Sequence, residues 1–90
     1  MKILNAHRAI LDQQGRIVTT QEIPQGDLTI GENKATLYGH DQLMSVGNIV
    51  GLSTGSQRYH LNITVQVEMR PGQFRLERWH VTFAQPEAKQ

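Results

Sequence analysis

Residues 58–83, RYHLNITVQVEMRPGQFRLERWHVTF, decide the fold of this chain. In the first half every second residue is apolar, which is typical of a β-strand with one buried face. The apolar positions of this half are Tyr59, Leu61, Ile63, Val65, Val67 and Met69. The second half begins in step and then slips by one residue, so that its later apolar residues fall in the opposite phase. These positions are Phe74 and Leu76 before the slip, and Trp79, Val81 and Phe83 after it.

The Pro71-Gly72 pair between the two halves is a turn signal. Two alternating runs joined by such a turn predict a β-hairpin, here a long one formed by residues 58–69 and 74–83. Its apolar face is large, so other parts of the chain or a second copy must cover it.

The slip predicts a β-bulge in the second strand of this hairpin. If Met69 faces Phe74 across the turn, one extra residue at Glu77-Arg78 keeps the later apolar residues on the buried face. The pairs expected beyond the bulge are Val65 with Trp79, Ile63 with Val81, and Leu61 with Phe83. Trp79 is therefore predicted to lie in the core.

The middle of the chain contains shorter signals. Residues 28–38 predict a second hairpin, and residues 48–53 predict another strand. Residues 40–46, HDQLMSV, predict one short helix with Asp41 as its N-cap.

The N-terminus is compatible with two structures. Apolar residues within residues 3–14 recur at helical spacing, with Gly15 placed as a helix-ending glycine. Residues 10–18 equally suit a hairpin with an Asp-Gln-Gln-Gly turn.

We expect a mainly β fold, either a small antiparallel barrel, a sandwich or a bent sheet, with at most one or two short helices. The alternative is an α+β fold with an N-terminal helix packed on one antiparallel sheet.

Length and composition limit the possible classes of protein. Ninety residues predict a single domain, 1–90, in which residues 84–90 form a frayed tail. The absence of cysteine excludes disulfides, thiolate zinc sites and a cysteine nucleophile. No apolar run approaches the roughly 18–20 residues of a membrane span, and the N-terminus lacks the apolar core of a signal peptide. The expected location is the cytoplasm, unless an export signal has been removed.

The sequence predicts no catalytic, metal or cofactor site. HxH, HxxxH and HExxH motifs are absent, and so are the GxSxG elbow and the phosphate-binding glycine motifs. With the predicted bulge, His60 and His80 lie roughly 13 Å apart, too far to share one metal ion. We therefore expect a protein that is not an enzyme and holds no cofactor.

The polar face of the hairpin is the candidate interaction surface. Its proposed residues are Arg58, His60, Arg70, Arg75, Arg78 and His80. The first hypothesis is a small interaction module, such as an assembly component, adaptor or inhibitor-like protein, that binds a protein partner or a second copy through the hairpin and its strand edges.

The alternative is binding of a polyanion or nucleic acid through the four arginines of the hairpin region: Arg58, Arg70, Arg75 and Arg78. Nucleic-acid platforms on sheets stack bases on exposed aromatic side chains. The aromatic residues of the hairpin are all predicted on the apolar face, so this hypothesis lacks its stacking groups.

Overall fold

The computed structural model describes residues 2–39, 42–54 and 60–83, which form eight β-strands in one antiparallel sheet. The strands are β1 (Lys2–Ile3), β2 (Asn5–Leu11), β3 (Ile17–Ile23), β4 (Gly26–Ile30), β5 (Lys34–Gly39), β6 (Gln42–Thr54), β7 (His60–Arg70) and β8 (Gln73–Thr82). Their order across the sheet is β1-β4-β5-β6-β7-β8-β2-β3. The sheet curls into a half-barrel, which confirms the predicted mainly β fold with a bent antiparallel sheet.

The predicted helices do not occur in the described residues. Gln42 to Val46, expected at the end of a short helix, lie in β6 and pair with β5, while Asp41 falls outside the described residues. The α+β alternative is likewise wrong for the part of the chain described. None of the described residues forms a helix long and apolar enough to cross a membrane.

The N-terminal segment is a hairpin because the side chain of Asp12 accepts hydrogen bonds from the backbone N–H groups of its own turn. Oδ1 of Asp12 accepts the backbone N–H groups of Gln14 at 2.9 Å and Arg16 at 2.8 Å. Gly15 has a φ of 83°, a left-handed conformation that glycine adopts without strain. Pairing with β3 on one side and β8 on the other gives β2 backbone partners on both edges, which a short isolated helix would lack.

The C-terminal hairpin is present, but its predicted register and bulge position are wrong. Phe74 lies opposite Glu68, and the extra residue is Met69, immediately before the turn. Gly72 in the turn has a φ of 82°. A bulge beside the turn adjusts the strand twist there, so the pairing further along the hairpin runs without a second shift.

This register changes which residues face the core. Trp79 lies opposite Ile63, not Val65, and Val65 lies opposite Glu77. The other two predicted pairs are also shifted, because Val81 lies opposite Leu61. The slip in the sequence therefore reflects a polar residue inside the core and not an inserted residue.

The core lies on the concave side of the curled sheet. Its buried members are Ile3, Ala6, Ile23, Leu28, Ala35, Leu37, Leu61, Ile63, Val65, Trp79 and Val81. Trp79 is completely buried, as predicted. A Cβ atom at Gly39 would lie 2.9 Å from Cγ2 of Ile23, so glycine allows the end of β3 to pack against β5 across the curl.

Candidate functional site

Three of the six predicted surface residues lie together on the outer face, which is the face of the sheet opposite the core. His60 on β7, and Arg78 and His80 on β8, occupy this face. The rings of His60 and His80 have centroids 5.6 Å apart. The predicted separation of roughly 13 Å is wrong, because it rested on a bulge at Glu77-Arg78 that does not exist.

A third imidazole, not predicted, joins this group. His7 on β2 lies directly opposite His80 on β8. Nδ1 of His80 donates to Oδ1 of Asn62 at 2.5 Å, and Nδ1 of His60 lies 3.3 Å from Oγ1 of Thr82. The meeting of β2 with β8 is a long-range pairing, so only knowledge of the strand order could have placed His7 here.

The histidine group does not form a metal centre with acidic neighbours. Among the described residues, no three histidine, aspartate or glutamate side chains are arranged to hold a metal ion. The group instead offers several neutral or cationic nitrogen atoms beside Arg78 on an exposed surface.

Arg75, a fourth predicted surface residue, faces the core side. Its Nε and Nη2 lie 2.8 Å and 2.6 Å from Oε2 of Glu77, which is completely buried. Oε1 of Glu77 accepts the Nε1–H of Trp79 at 2.8 Å and the hydroxyl of Ser45 at 2.8 Å. A buried carboxylate is stable only with charged and hydrogen-bonding partners, so Arg75 is committed to this role.

Arg8 completes this group, which we call the Glu77 cluster: Arg8, Ser45, Arg75, Glu77 and Trp79. Nη1 of Arg8 donates to the carbonyl oxygen of Met44 at 2.6 Å, and Nη2 donates to Oε1 of Gln21 at 2.6 Å. Its Nε lies 4.0 Å from Oε1 of Glu77. Because β6 and β2 are not neighbours in the sheet, the Arg8 side chain ties the two arms of the curl together.

The chemistry of the Glu77 cluster is structural. The hydroxyl of Ser45 donates to a carboxylate already held by an arginine, and no imidazole of the described residues is hydrogen-bonded to the cluster. Nucleophilic catalysis requires a base that takes the proton of the hydroxyl and a third group that orients that base. The hydrogen bonds and ion pairs of the Glu77 cluster therefore join strands of the curled sheet.

The two remaining predicted residues lie apart from the histidines. Arg70 ends β7 at the exposed turn of the hairpin, and Arg58 falls outside the described residues. The predicted surface is thus divided, and only its His60, Arg78 and His80 portion forms one described patch.

An open groove of about 380 Å³ lies between the Asp12 turn and the tip of the C-terminal hairpin. Its lining residues are Leu11, Asp12, Gln13, Gln66, Phe74, Arg75 and Leu76. Phe74 and Leu76 were predicted in the core, but the register places them on the outer face, 51% and 37% exposed. The walls of the groove are mostly apolar, its polar lining residues are Asp12, Gln13, Gln66 and Arg75, and the charge of Arg75 is paired with Glu77.

The most distinctive exposed feature is the edge formed by β3. This seven-residue strand pairs with β2 on one side, and no described residue pairs with its other side. Every residue of β3 except Ile23 is exposed, including Ile17 at 57% and Val18 at 65%. An unpaired strand edge presents a row of backbone donors and acceptors that can pair with another chain.

Comparison with known proteins adds no relative. No protein-family model, no curated protein and no solved structure matches this chain.

Proposed function

We propose that this protein is a small non-enzymatic interaction module that assembles with another protein chain by adding a strand to its β3 edge. The observation that carries the proposal is the exposed, one-sided pairing of β3. Strand addition uses backbone hydrogen bonds for affinity and alternate side chains for specificity, and it needs no pocket.

The β3 edge has few of the features that block strand addition. Proteins protect exposed edges with proline, lysine or inward-pointing charges, or keep the edge strand very short. The segment Ile17–Ile23 contains neither proline nor lysine, and Glu22 is its sole charged residue. Val18 forms a bulge opposite β2, which twists the start of this edge. Residues 19–23 beyond the bulge span about 17 Å at roughly 3.3 Å per residue, enough for a short partner strand.

The C-terminal hairpin contributes less to pairing than its sequence suggests. Its strands lie in the middle of the sheet, where β7 also pairs with β6 and β8 also pairs with β2. At the opposite edge of the sheet, β1 covers Gly26 and Asp27 of β4, which shortens the free part of that edge. Among the described strands, β3 is the longest that has a pairing strand on only one side.

The experiment is site-specific photo-crosslinking in cells, with a photoreactive residue at Val18, Thr20 or Glu22 on β3. An antiparallel partner strand predicts a stepwise pattern: moving the photoreactive group by two residues moves the cross-linked residue of the partner by two in the opposite direction. Mass spectrometry of the cross-linked peptides reads this pattern. The matched control places the group at Arg78, which is exposed but lies on a central strand.

Two results would overturn strand addition. The first is an absence of adducts from all three β3 positions. The second is adducts at scattered partner residues with no register, or adducts from Arg78 alone, which would place binding on the outer face.

A second candidate function is polyanion binding by the outer face. The supporting observation is that His7, His60 and His80 meet beside Arg78. Arg78 carries a positive charge, and the imidazole nitrogens beside it can form hydrogen bonds to phosphate oxygens. Fluorescence anisotropy with a labelled single-stranded oligonucleotide tests this candidate at two salt concentrations.

Substitution of Arg78 tests whether the outer face is the binding surface, and substitution of Lys34 is its matched control. Arg78→Gln should weaken binding and reduce its salt dependence, whereas Lys34→Gln on β5 should not. Unchanged anisotropy for the wild-type protein at low salt would remove this candidate.

A further inference from the structure

Four polar side chains form a square on the outer face, where β7 pairs with β8. His60 lies opposite Thr82, and Asn62 lies opposite His80, so the two histidines occupy one diagonal of the square. Long side chains on such a diagonal are within reach of each other. The two imidazole rings have centroids 5.6 Å apart and planes tilted by 33°. The register of the hairpin therefore brings two imidazoles together on an open surface.

Each imidazole has one nitrogen beside the side-chain oxygen of the residue opposite. Nδ1 of His80 lies 2.5 Å from Oδ1 of Asn62, and because this oxygen carries no hydrogen, Nδ1 is the donor. Nδ1 of His60 lies 3.3 Å from the hydroxyl oxygen of Thr82, which can accept in the same way. In a neutral imidazole that donates through Nδ1, the other nitrogen, Nε2, carries a lone pair. Neither Nε2 is hydrogen-bonded to another described residue.

We propose that His60 and His80 together bind one divalent transition-metal ion of the zinc, nickel or copper class through their Nε2 atoms. Neutral imidazole is a preferred ligand of these ions. A histidine that binds a metal usually donates its other ring N–H to an oxygen atom, which fixes both the tautomer and the orientation of the ring. Asn62 already provides that oxygen for His80. The proposed site is independent of strand addition at β3.

The ring separation suits one shared ion. Two imidazoles on a tetrahedral ion with metal–nitrogen bonds of about 2.0–2.1 Å have ring centroids about 5.2 Å apart. The observed 5.6 Å differs from this by less than a bond length, so small side-chain rotations close the site. Among the described residues no third histidine or carboxylate is arranged to join the pair, so water completes the coordination sphere.

The first test is isothermal titration calorimetry of the full chain with Zn²⁺. The chain contains no cysteine, so no thiolate competes for the ion. The wild type is expected to bind one ion, and His60→Gln and His80→Gln should each raise the Kd at least tenfold. The matched control is His7→Gln, an exposed histidine on the same face directly opposite His80, and it should leave the Kd unchanged. Mg²⁺ prefers oxygen ligands and should give no binding heat.

Three results of this titration would overturn the proposal. The first is the absence of saturable Zn²⁺ binding to the wild type. The second is a Kd that neither His60→Gln nor His80→Gln changes, which would place the ion elsewhere on the chain. The third is an equal loss of affinity in His7→Gln, which would contradict a site made by these two imidazoles.

A second measurement needs no variant and so does not depend on whether a variant folds. Long-range proton–nitrogen NMR spectra of the imidazoles distinguish Nδ1 from Nε2 in the wild-type chain. Zn²⁺ should shift Nε2 of His60 and His80, keep the proton of His80 on Nδ1, and leave His7 unmoved. Coordination through Nδ1, or shifts confined to other histidines, would refute the assignment.

Asn62 is expected to act as a positioning residue. Asn62→Ala removes the acceptor for Nδ1–H of His80, so it should raise the Kd for Zn²⁺ about tenfold and increase the Nε2–H tautomer of the metal-free ring. Asn62→Asp keeps an acceptor oxygen and should restore both the affinity and the tautomer. The control Ser53→Ala, opposite Asn62 on β6, should change neither. If Asn62→Ala leaves both the Kd and the tautomer unchanged, the argument from the tautomer is wrong.

Arg78 separates metal binding from polyanion binding by the same face. Its side chain lies on the outer face two residues from His80, and its positive charge repels a bound cation. Arg78→Gln should therefore lower the Kd for Zn²⁺ or leave it unchanged, while it should weaken binding of an oligonucleotide. A Zn²⁺ affinity that falls in parallel with oligonucleotide affinity would contradict a metal site at His60 and His80.

Discussion

Replacing Glu77 by glutamine should destabilise the protein by about 3 kcal/mol without unfolding it. The side chain of Glu77 is completely buried and lies within 2.8 Å of donors on Arg75, Ser45 and Trp79. Glutamine has the same shape and keeps an oxygen that can accept from Ser45 and Trp79, so the change removes mainly the negative charge.

The expected loss in the free energy of unfolding depends on whether Arg75 and Arg8 can find other partners once the charge of Glu77 is removed. Removing one partner of a buried ion pair costs about 3–5 kcal/mol. The Arg75 side chain is 30% exposed and can turn toward water, which moves the cost to the lower end. The Arg8 side chain is only 13% exposed, but its hydrogen bonds to Met44 and Gln21 remain.

Glu77→Ala should behave differently. It also leaves the Ser45 hydroxyl and the Trp79 indole N–H without an acceptor, at about 1–3 kcal/mol each. A chain of 90 residues has a total stability of about 5–13 kcal/mol. The alanine variant can therefore lose most of its stability, and we expect it not to fold.

Urea unfolding followed by circular dichroism measures the difference. With an m-value of about 1.5 kcal/mol/M, the Glu77→Gln midpoint should fall by about 2 M. The control Glu68→Gln, on the exposed end of β7, should stay within about 0.5 kcal/mol of the wild type. A Glu77→Gln variant as stable as the control would show that the arginines do not depend on this buried charge. If Glu77→Gln lowers the free energy of unfolding by less in an Arg75→Gln background than in the wild type, Glu77 and Arg75 are energetically coupled.

Three further predictions follow from packing and register. Trp79→Ala should cost about 3 kcal/mol or more in the same assay, because the side chain is completely buried; an unchanged melting temperature would contradict its place in the core. Gly47→Ala should cost about 1–3 kcal/mol, because its Cβ would lie 2.9 Å from a carbonyl oxygen of β7, whereas Gly51→Ala on the same strand meets nothing closer than 3.7 Å and should be nearly neutral. Deleting Met69 removes the bulged residue and should leave a folded protein by circular dichroism, whereas deleting Arg78 reverses the faces of half of β8 and should abolish folding; the opposite result would move the bulge back into β8.

Several features of the fold could be predicted from local sequence. The alternation of residues 61–67 and the Pro71-Gly72 turn correctly predict the C-terminal hairpin and the burial of Trp79. Residues 28–38 correctly predict the β4–β5 hairpin. In each case the strands are neighbours in sequence, so the signal and the contact occupy the same stretch of chain.

The candidate site was predicted less well, because its residues meet through distant pairings. The hairpin register depends on a buried glutamate that local patterning treats as a surface residue, and this error separated His60 from His80 and placed Arg75 on the surface. Arg8 and His7 reach their partners only because β2 pairs with β8. The helix predicted for residues 40–46 failed at its described residues because neighbouring strands supply backbone partners that outweigh a weak local signal.

The sequence by itself determined that this chain is a cysteine-free, mainly β domain built from hairpins, because side-chain alternation and turn chemistry act over a few residues. The tertiary structure decided which strands became neighbours, which carboxylate was buried and which strand was left at the edge. These outcomes depend on closing the sheet into a curl, and Arg8 and Glu77 can stabilise that curl only after strands far apart in sequence have come together. The edge of β3 that no described residue pairs, on which the proposed assembly depends, is therefore a property of the strand order and not of the seven residues that form it.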